Sequence, residues 1–101
     1  MFGHGAYFAE MCSKSDEYAK DGTDLYDGIY ALLLCRVCCG EMFRVLKSDH
    51  KAIDAALESG RYDAVLGDRE AAVGTYREFV IFEEDLIYPE YVVLYTRRYT
   101  P

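Results

Sequence analysis

Residues 29–39 run for eleven positions with a single charge, Arg36, and are bounded by Gly28 and Gly40. Ile29, Leu32, Leu33, Leu34 and Val37, with Cys35, Cys38 and Cys39 among them, leave no alternation of polar and apolar positions. Such a run predicts a strand buried on both faces, and therefore a fold organised around a sheet. It is too short to cross a membrane, which takes about 20 apolar residues, and nowhere do eighteen run together. The opening Met1-Phe2-Gly3-His4-Gly5 carries neither a basic nor a hydrophobic leader. The expectation is a soluble, unexported protein with no membrane partner.

With 101 residues, 51% of them apolar and two of them proline, the chain has the composition of one globular domain. A domain this small buries a modest share of its surface, so nearly every apolar segment must pack. Glycine, aspartate and proline divide the sequence into blocks. Gly3-His4-Gly5 is a turn leading into a short strand over 6–9, and 13–18 predicts a brief helix. Asp21-Gly22-Thr23-Asp24 and Asp27-Gly28 mark a loop before the long apolar strand.

Over 49–59 the apolar positions Ile53, Ala56 and Leu57 recur at helical spacing, with Asp49 as N-cap and Gly60 as stop. Residues 61–68 predict a short strand running into a turn, 77–82 a strong strand, 86–89 a connection and 91–95 a closing strand. Several strands with short helices between them predict an α+β fold on a mostly antiparallel sheet.

The net charge of -7 is spread from Glu10 to Glu90, which disfavours binding to phosphate backbones and predicts no nucleic-acid partner for this segment. Cys35 and Cys38 have the spacing of a zinc knuckle, but they continue an apolar run and no second Cys or His pair stands at a matching distance. The preferred reading is free cysteines packed as small apolar side chains of a buried strand in a reducing compartment, with no metal. A small zinc protein using Cys35, Cys38 and Cys39 is the minor reading.

P-loop, dinucleotide-binding glycine and nucleophile-elbow signatures are all missing from the sequence. Taken singly, Tyr7 and Tyr18 read as two of ten packing tyrosines, Ser13 or Ser15 as a helix cap, and Glu78 as the outward member of an alternating strand. The order of the blocks changes that. Phe2-Gly3-His4-Gly5-Ala6-Tyr7-Phe8-Ala9-Glu10 is followed by Ser13-Lys14-Ser15 with Tyr18, then Leu33-Leu34-Cys35-Arg36-Val37-Cys38-Cys39-Gly40. Tyr62-Asp63-Ala64-Val65-Leu66-Gly67, Tyr76-Arg77-Glu78-Phe79-Val80 and Tyr88-Pro89-Glu90-Tyr91-Val92-Val93 complete the series.

This series resembles the catalytic domain of poly(ADP-ribose) polymerases and tankyrases over nearly the whole chain, 1–101. The resemblance implies a split, mostly antiparallel sheet and an NAD-dependent ADP-ribosyltransferase that acts on protein side chains, with NAD as substrate and acceptor proteins as partners. It implies a nicotinamide pocket walled by Tyr7 and Tyr18, with Ser15 bonding the carboxamide. Glu78 is implied as the catalytic carboxylate, acting with Tyr7, and Lys14 as a residue steadying that carboxylate or the acceptor. The compartment implied is intracellular, nuclear or cytoplasmic.

The family's triad histidine lies in a His-Gly-Thr or His-Gly-Ser motif upstream of the Tyr-Phe-Ala block. The sequence opens after that place, and His4 and His50 are expected to be solvated rather than catalytic. The expectation is therefore a domain with its first strands missing and weakened affinity for NAD. It should show an uncovered sheet edge and unburied apolar faces on the strands at 29–39 and 91–95. The competing reading is a catalytically inactive remnant that serves as a protein-interaction module.

Overall fold

A computed structural model describes residues 2, 4–20 and 28–98, so Gly3 of the expected turn and the expected loop residues 21–27 lie outside the described residues. Three-residue strand β1 (Ala6–Phe8) leads to helix α1 (Cys12–Asp16), then to the long strand β2 (Tyr30–Val37). Strand β3 (Met42–Val45), helix α2 (His50–Glu58), strand β4 (Ala64–Asp68) and helix α3 (Arg69–Val73) follow. Strand β5 (Arg77–Ile81), a 3-10 turn at Glu84–Leu86 and strand β6 (Ile87–Tyr95) complete the order.

These strands form two sheets, one of four strands in the order β1-β5-β4-β3 and one of two, β2-β6. All pairings are antiparallel except β3 with β4, which α2 joins as a crossover. The split, mostly antiparallel α+β architecture is the one expected from the sequence.

Helix α2 shows why local signals succeed. The Asp49 side chain accepts the Ala52 amide at 3.1 Å, Gly60 stops the helix at φ +72°, and the 53/56/57 stripe sends Ile53 and Ala56 into the interior. Ile53 meets Phe2, Val65 and Val80 in the buried cluster, against which Tyr7, Phe43, Val45, Leu57 and Phe82 pack. Every buried apolar residue described belongs to the four-stranded sheet, to α2 or to Phe2.

The two-stranded sheet corrects two sequence expectations. Strand β2 is not buried on both faces: register pairs Ala31 with Leu94 and Leu33 with Val92, and Leu33, Val92 and Leu94 are 63%, 65% and 68% exposed. The opposite face is half-buried at Tyr30, Leu32 and Tyr95 and open at Leu34, Tyr91 and Val93. Apolar density alone predicts burial only if a second layer lies on each face, and here the described residues cover only part of one. The uncovered faces expected at 29–39 and 91–95 are thus present.

The segment 86–89, expected as a connection, is mostly strand: Ile87, Tyr88 and Pro89 pair with Val37, Arg36 and Cys35, and a register shift at Leu34/Cys35 takes up Glu90. The cysteines differ from expectation as well. Cys12 and Cys38 are exposed and Cys35 and Cys39 half-buried, and all four are free thiols.

Candidate functional site

The four-stranded sheet sets the first part of the site. Antiparallel pairing of β1 with β5 places Tyr7 opposite Val80, and alternation along β5 puts Glu78 on the same face two positions away. Tyr7 leans on the buried cluster, and its hydroxyl accepts the Phe2 amide at 2.7 Å. Glu78 stands directly opposite Gly67 of β4. A side chain at Gly67 would strike the Phe2 ring, since a Cβ there would lie 2.5 Å from Phe2 Cε2. Glycine at 67 therefore lets the Phe2 ring lie flat against the strand beside Glu78.

Helix α1 sets the second part. Its five residues bury none of their own side chains, so tethers rather than packing hold it. At one end Ser13 Oγ donates to the Tyr76 hydroxyl at 3.0 Å, and Lys14 Nζ stands 3.7 Å from Glu78 Oε1 and 3.4 Å from Glu17 Oε2. The same ammonium lies 5.4 Å from the Tyr18 ring centre. Partial burial opposes the charge on Lys14, but Tyr18, Glu17 and Glu78 outweigh it and hold its pKa above the ordinary lysine value. Lys14 is thus a fixed cation beside the Glu78 carboxylate.

The helix ends at Asp16, short of the expected Tyr18, but the Tyr18 amide still reaches the Ser15 carbonyl at 3.1 Å, so both side chains remain on one turn. Tyr7, Ser15 and Tyr18 line one cavity of about 560 Å³, together with Leu32, Leu34 and Phe79. A second cavity, of about 840 Å³, is lined by Lys14, Glu78, Phe2, Arg69 and Tyr76, and Tyr18 borders both. The structure therefore gathers all five sequence-predicted residues around two adjoining hollows that share the Tyr18 ring. The first is a mostly apolar hollow that Ser15 and Glu10 also line, and the second an ionic cleft with Glu78 and Lys14 among its charged residues.

Both histidines are exposed, and neither lines these cavities. Among the described residues no group of three His, Cys, Asp or Glu side chains stands close enough to hold a metal ion, and no helix is long and apolar enough to cross a membrane.

Two supporting pairs join residues of the motif blocks that the sequence reading left unpaired. Ser13 and Tyr76 pair across 63 positions, and Glu10 grips Arg77 through two bonds of 2.6 and 2.7 Å across 67. Bidentate pairing of that kind fixes the end of β1 to the start of β5, the strand that carries Glu78. Contacts so distant in sequence leave no local pattern, although all four residues stand within the motif blocks.

Comparison with known proteins gives a consistent result. Residues 1–70 match the family described as the poly(ADP-ribose) polymerase catalytic domain. Poly(ADP-ribose) polymerase 2 of Arabidopsis thaliana is 50% identical over 52 residues, covering 52% of this chain and 8% of the relative. Protein mono-ADP-ribosyltransferase PARP12 of Homo sapiens is 31% identical over 100 residues, which is 99% of this chain and 13% of that protein. Poly(ADP-ribose) polymerase 1 of Danio rerio is 30% identical over 104 residues, covering 92% of this chain and 10% of the relative. The chain spans about a tenth of the length of these relatives.

Proposed function

Because the chain belongs to the poly(ADP-ribose) polymerase catalytic domain family, as the match over residues 1–70 shows, we propose that it forms part of an NAD-dependent ADP-ribosyltransferase domain. The reaction is transfer of ADP-ribose from NAD to a protein side chain, with release of nicotinamide, in an intracellular, nuclear or cytoplasmic setting. On this reading 1–101 is a partial catalytic domain, and NAD and acceptor proteins are its partners.

The observation that carries the reading is the convergence of Tyr7, Ser15 and Tyr18 on one cavity, with Glu78 in the adjoining one. Two phenol rings suit a flat heteroaromatic amide, and the Ser15 hydroxyl can both donate to and accept from its carboxamide. A cavity of about 560 Å³ is within the usual range for small-molecule sites.

Glu78 supplies negative charge where loss of a cationic leaving group leaves positive character on a sugar carbon. Its two oxygens let it bond the neighbouring ribose hydroxyl and orient the acceptor together. Lys14, 3.7 Å away, sets a positive charge beside that carboxylate and steadies its direction. Tyr7 and Ser15 hold the leaving group in line, an advantage of position rather than of charge.

In the intact protein, Glu78→Gln keeps the size of the side chain and removes its charge. It is expected to reduce ADP-ribose transfer by about a hundredfold or more while leaving the thermal midpoint unchanged. Wild-type rates in that variant would overturn the assignment.

The exposed faces of β2 and β6 favour a second reading, an inactive interaction module. Chemical modification of Tyr18 separates the two: protection by nicotinamide supports the transferase, and equal modification with and without nicotinamide supports the module.

A further inference from the structure

The first half of α1 is tied to Tyr76 and Glu78, whereas its second half is held by Tyr95 at the end of β6 and by Arg97 just beyond it, outside the residue set assigned above. Arg97, two positions past β6, is half-buried. Its Nε donates to Asp16 Oδ1 at 3.0 Å, and its Nη2 donates to the backbone carbonyls of Asp16 at 2.7 Å and Ala19 at 3.3 Å. The Tyr95 hydroxyl donates to the same Asp16 oxygen. From below, the Tyr30 ring lies 3.9 Å from the guanidinium carbon, and Tyr95 packs on Tyr30 with ring centres 5.6 Å apart.

We propose that Arg97, with Asp16 and Tyr95, is a positioning residue of the Ser15–Tyr18 turn, so that the end of β6 sets where the Tyr18 ring stands. The inference rests on the transferase reading of the cavity that Tyr18 lines, and deepens it. One planar guanidinium bonds carbonyls on either side of Glu17 and Tyr18, and so spans the turn that bears the ring. Carbonyls at a helix end lack partners within the helix, and the rigid fork of arginine satisfies them without the freedom of an ammonium.

The anchor is itself fixed, because the Tyr30 face and the Asp16 carboxylate leave the guanidinium one orientation. The Tyr95 hydroxyl first, and Arg97 after it, hold the Asp16 carboxyl below the usual aspartate range, so Asp16 stays charged in the pair. The helix buries no side chain, and the other contacts described for its second half are local, from Lys14 to Glu17 and Tyr18 and from the Tyr18 and Ala19 amides to Ser15 and Asp16, so Arg97 and Tyr95 tie it to the distant β6 end.

The test uses the intact protein with Arg97→Gln, Asp16→Ala and the double variant. Amide hydrogen exchange at Tyr18 and Ala19, which bond the Ser15 and Asp16 carbonyls, is expected to quicken about tenfold or more in each variant, while amides of β4 keep wild-type protection. The KM for NAD should rise about tenfold with kcat changed far less, and the double variant should be no worse than either single one, as for two members of one contact.

Unchanged exchange at Tyr18, equal quickening in β4, or additive effects of the two substitutions would each overturn the proposal. Wild-type protein that fails to bind nicotinamide would instead refute the transferase reading, and the exchange rates would still decide whether Arg97 holds the turn.

Discussion

At the residue scale the site depends on one missing side chain. Gly67 stands opposite Glu78, and the space its absent Cβ leaves is filled by the Phe2 ring, which is buried against Val65 and Val80. Gly67→Ala must displace an aromatic ring rather than a flexible chain end. It is expected to cost about 1–3 kcal/mol in urea denaturation, as overpacking of a filled core does. An unchanged denaturation midpoint would show that Phe2 has room to shift. Gly40 is a similar case at the other end of the sheet, where φ is +58° and a Cβ would collide with Asp63, whose carboxylate accepts the Glu41 amide at 3.0 Å.

At the element scale the short helices are held by carboxylates, and this fixes their response to acid. Asp68, at the end of β4, accepts the Ala71 amide of α3 at 3.1 Å and Arg44 Nε at 2.9 Å, and those bonds, the amide first, hold its carboxyl below the ordinary 3.8. Arg77 lowers Glu10 from 4.5 in the same manner, and the Tyr95 hydroxyl with Arg97 lowers Asp16. Each group is a stronger acid folded than unfolded. Its stabilisation is therefore complete above the unfolded value and is lost as pH falls through the folded one. The thermal midpoint is expected to be flat from neutrality to about pH 5 and to drop below about pH 4, with a shallower drop in Asp68→Asn. A midpoint independent of pH across that window would refute this.

Elements whose signals are local were legible in the sequence. Helix α2 carried its cap, its stripe and its stop within a dozen positions. Strand β3 was not read, because Met42-Phe43-Arg44-Val45 is a four-residue edge whose partner lies across the α2 crossover. Helix α3 went unread for a related reason: its five residues exist by virtue of the Asp68 cap and Gly74, at φ +74°, and carry no apolar stripe. The site divides in the same way. Tyr7, Ser15, Tyr18 and Glu78 sit in motif blocks, whereas Arg97 meets Asp16 from 81 positions away.

At the scale of the whole molecule the two sheets are unequally supported. The described core lies among the four-stranded sheet, α2 and Phe2, and the β2-β6 pair leaves Leu33, Val92 and Leu94 open to solvent. The radius of gyration, 15.6 Å, exceeds the roughly 13 Å usual for a hundred residues, and the extents of 46 × 31 × 19 Å describe an elongated body. Purified as 101 residues, the chain is expected to bind an apolar dye and to associate as concentration rises, and Leu33→Lys with Leu94→Glu should reduce both without lowering the thermal midpoint. Dye binding and association unaffected by those changes would place the sticky surface elsewhere.

The pairing of β1 with β5 has a consequence in time. Tyr7 leaves a ribosome well before Glu78, yet they share a sheet face, and the Glu10–Arg77 grip that joins their strands closes a loop of 67 positions. Closing such a loop is entropically slow and precedes any reward from the contacts it makes. The pair of hollows beside Tyr18 thus comes into being as a late event of this segment's synthesis, and a nascent chain stalled before Arg77 holds Tyr7, Ser15 and Tyr18 without the Glu78 carboxylate of the adjoining hollow.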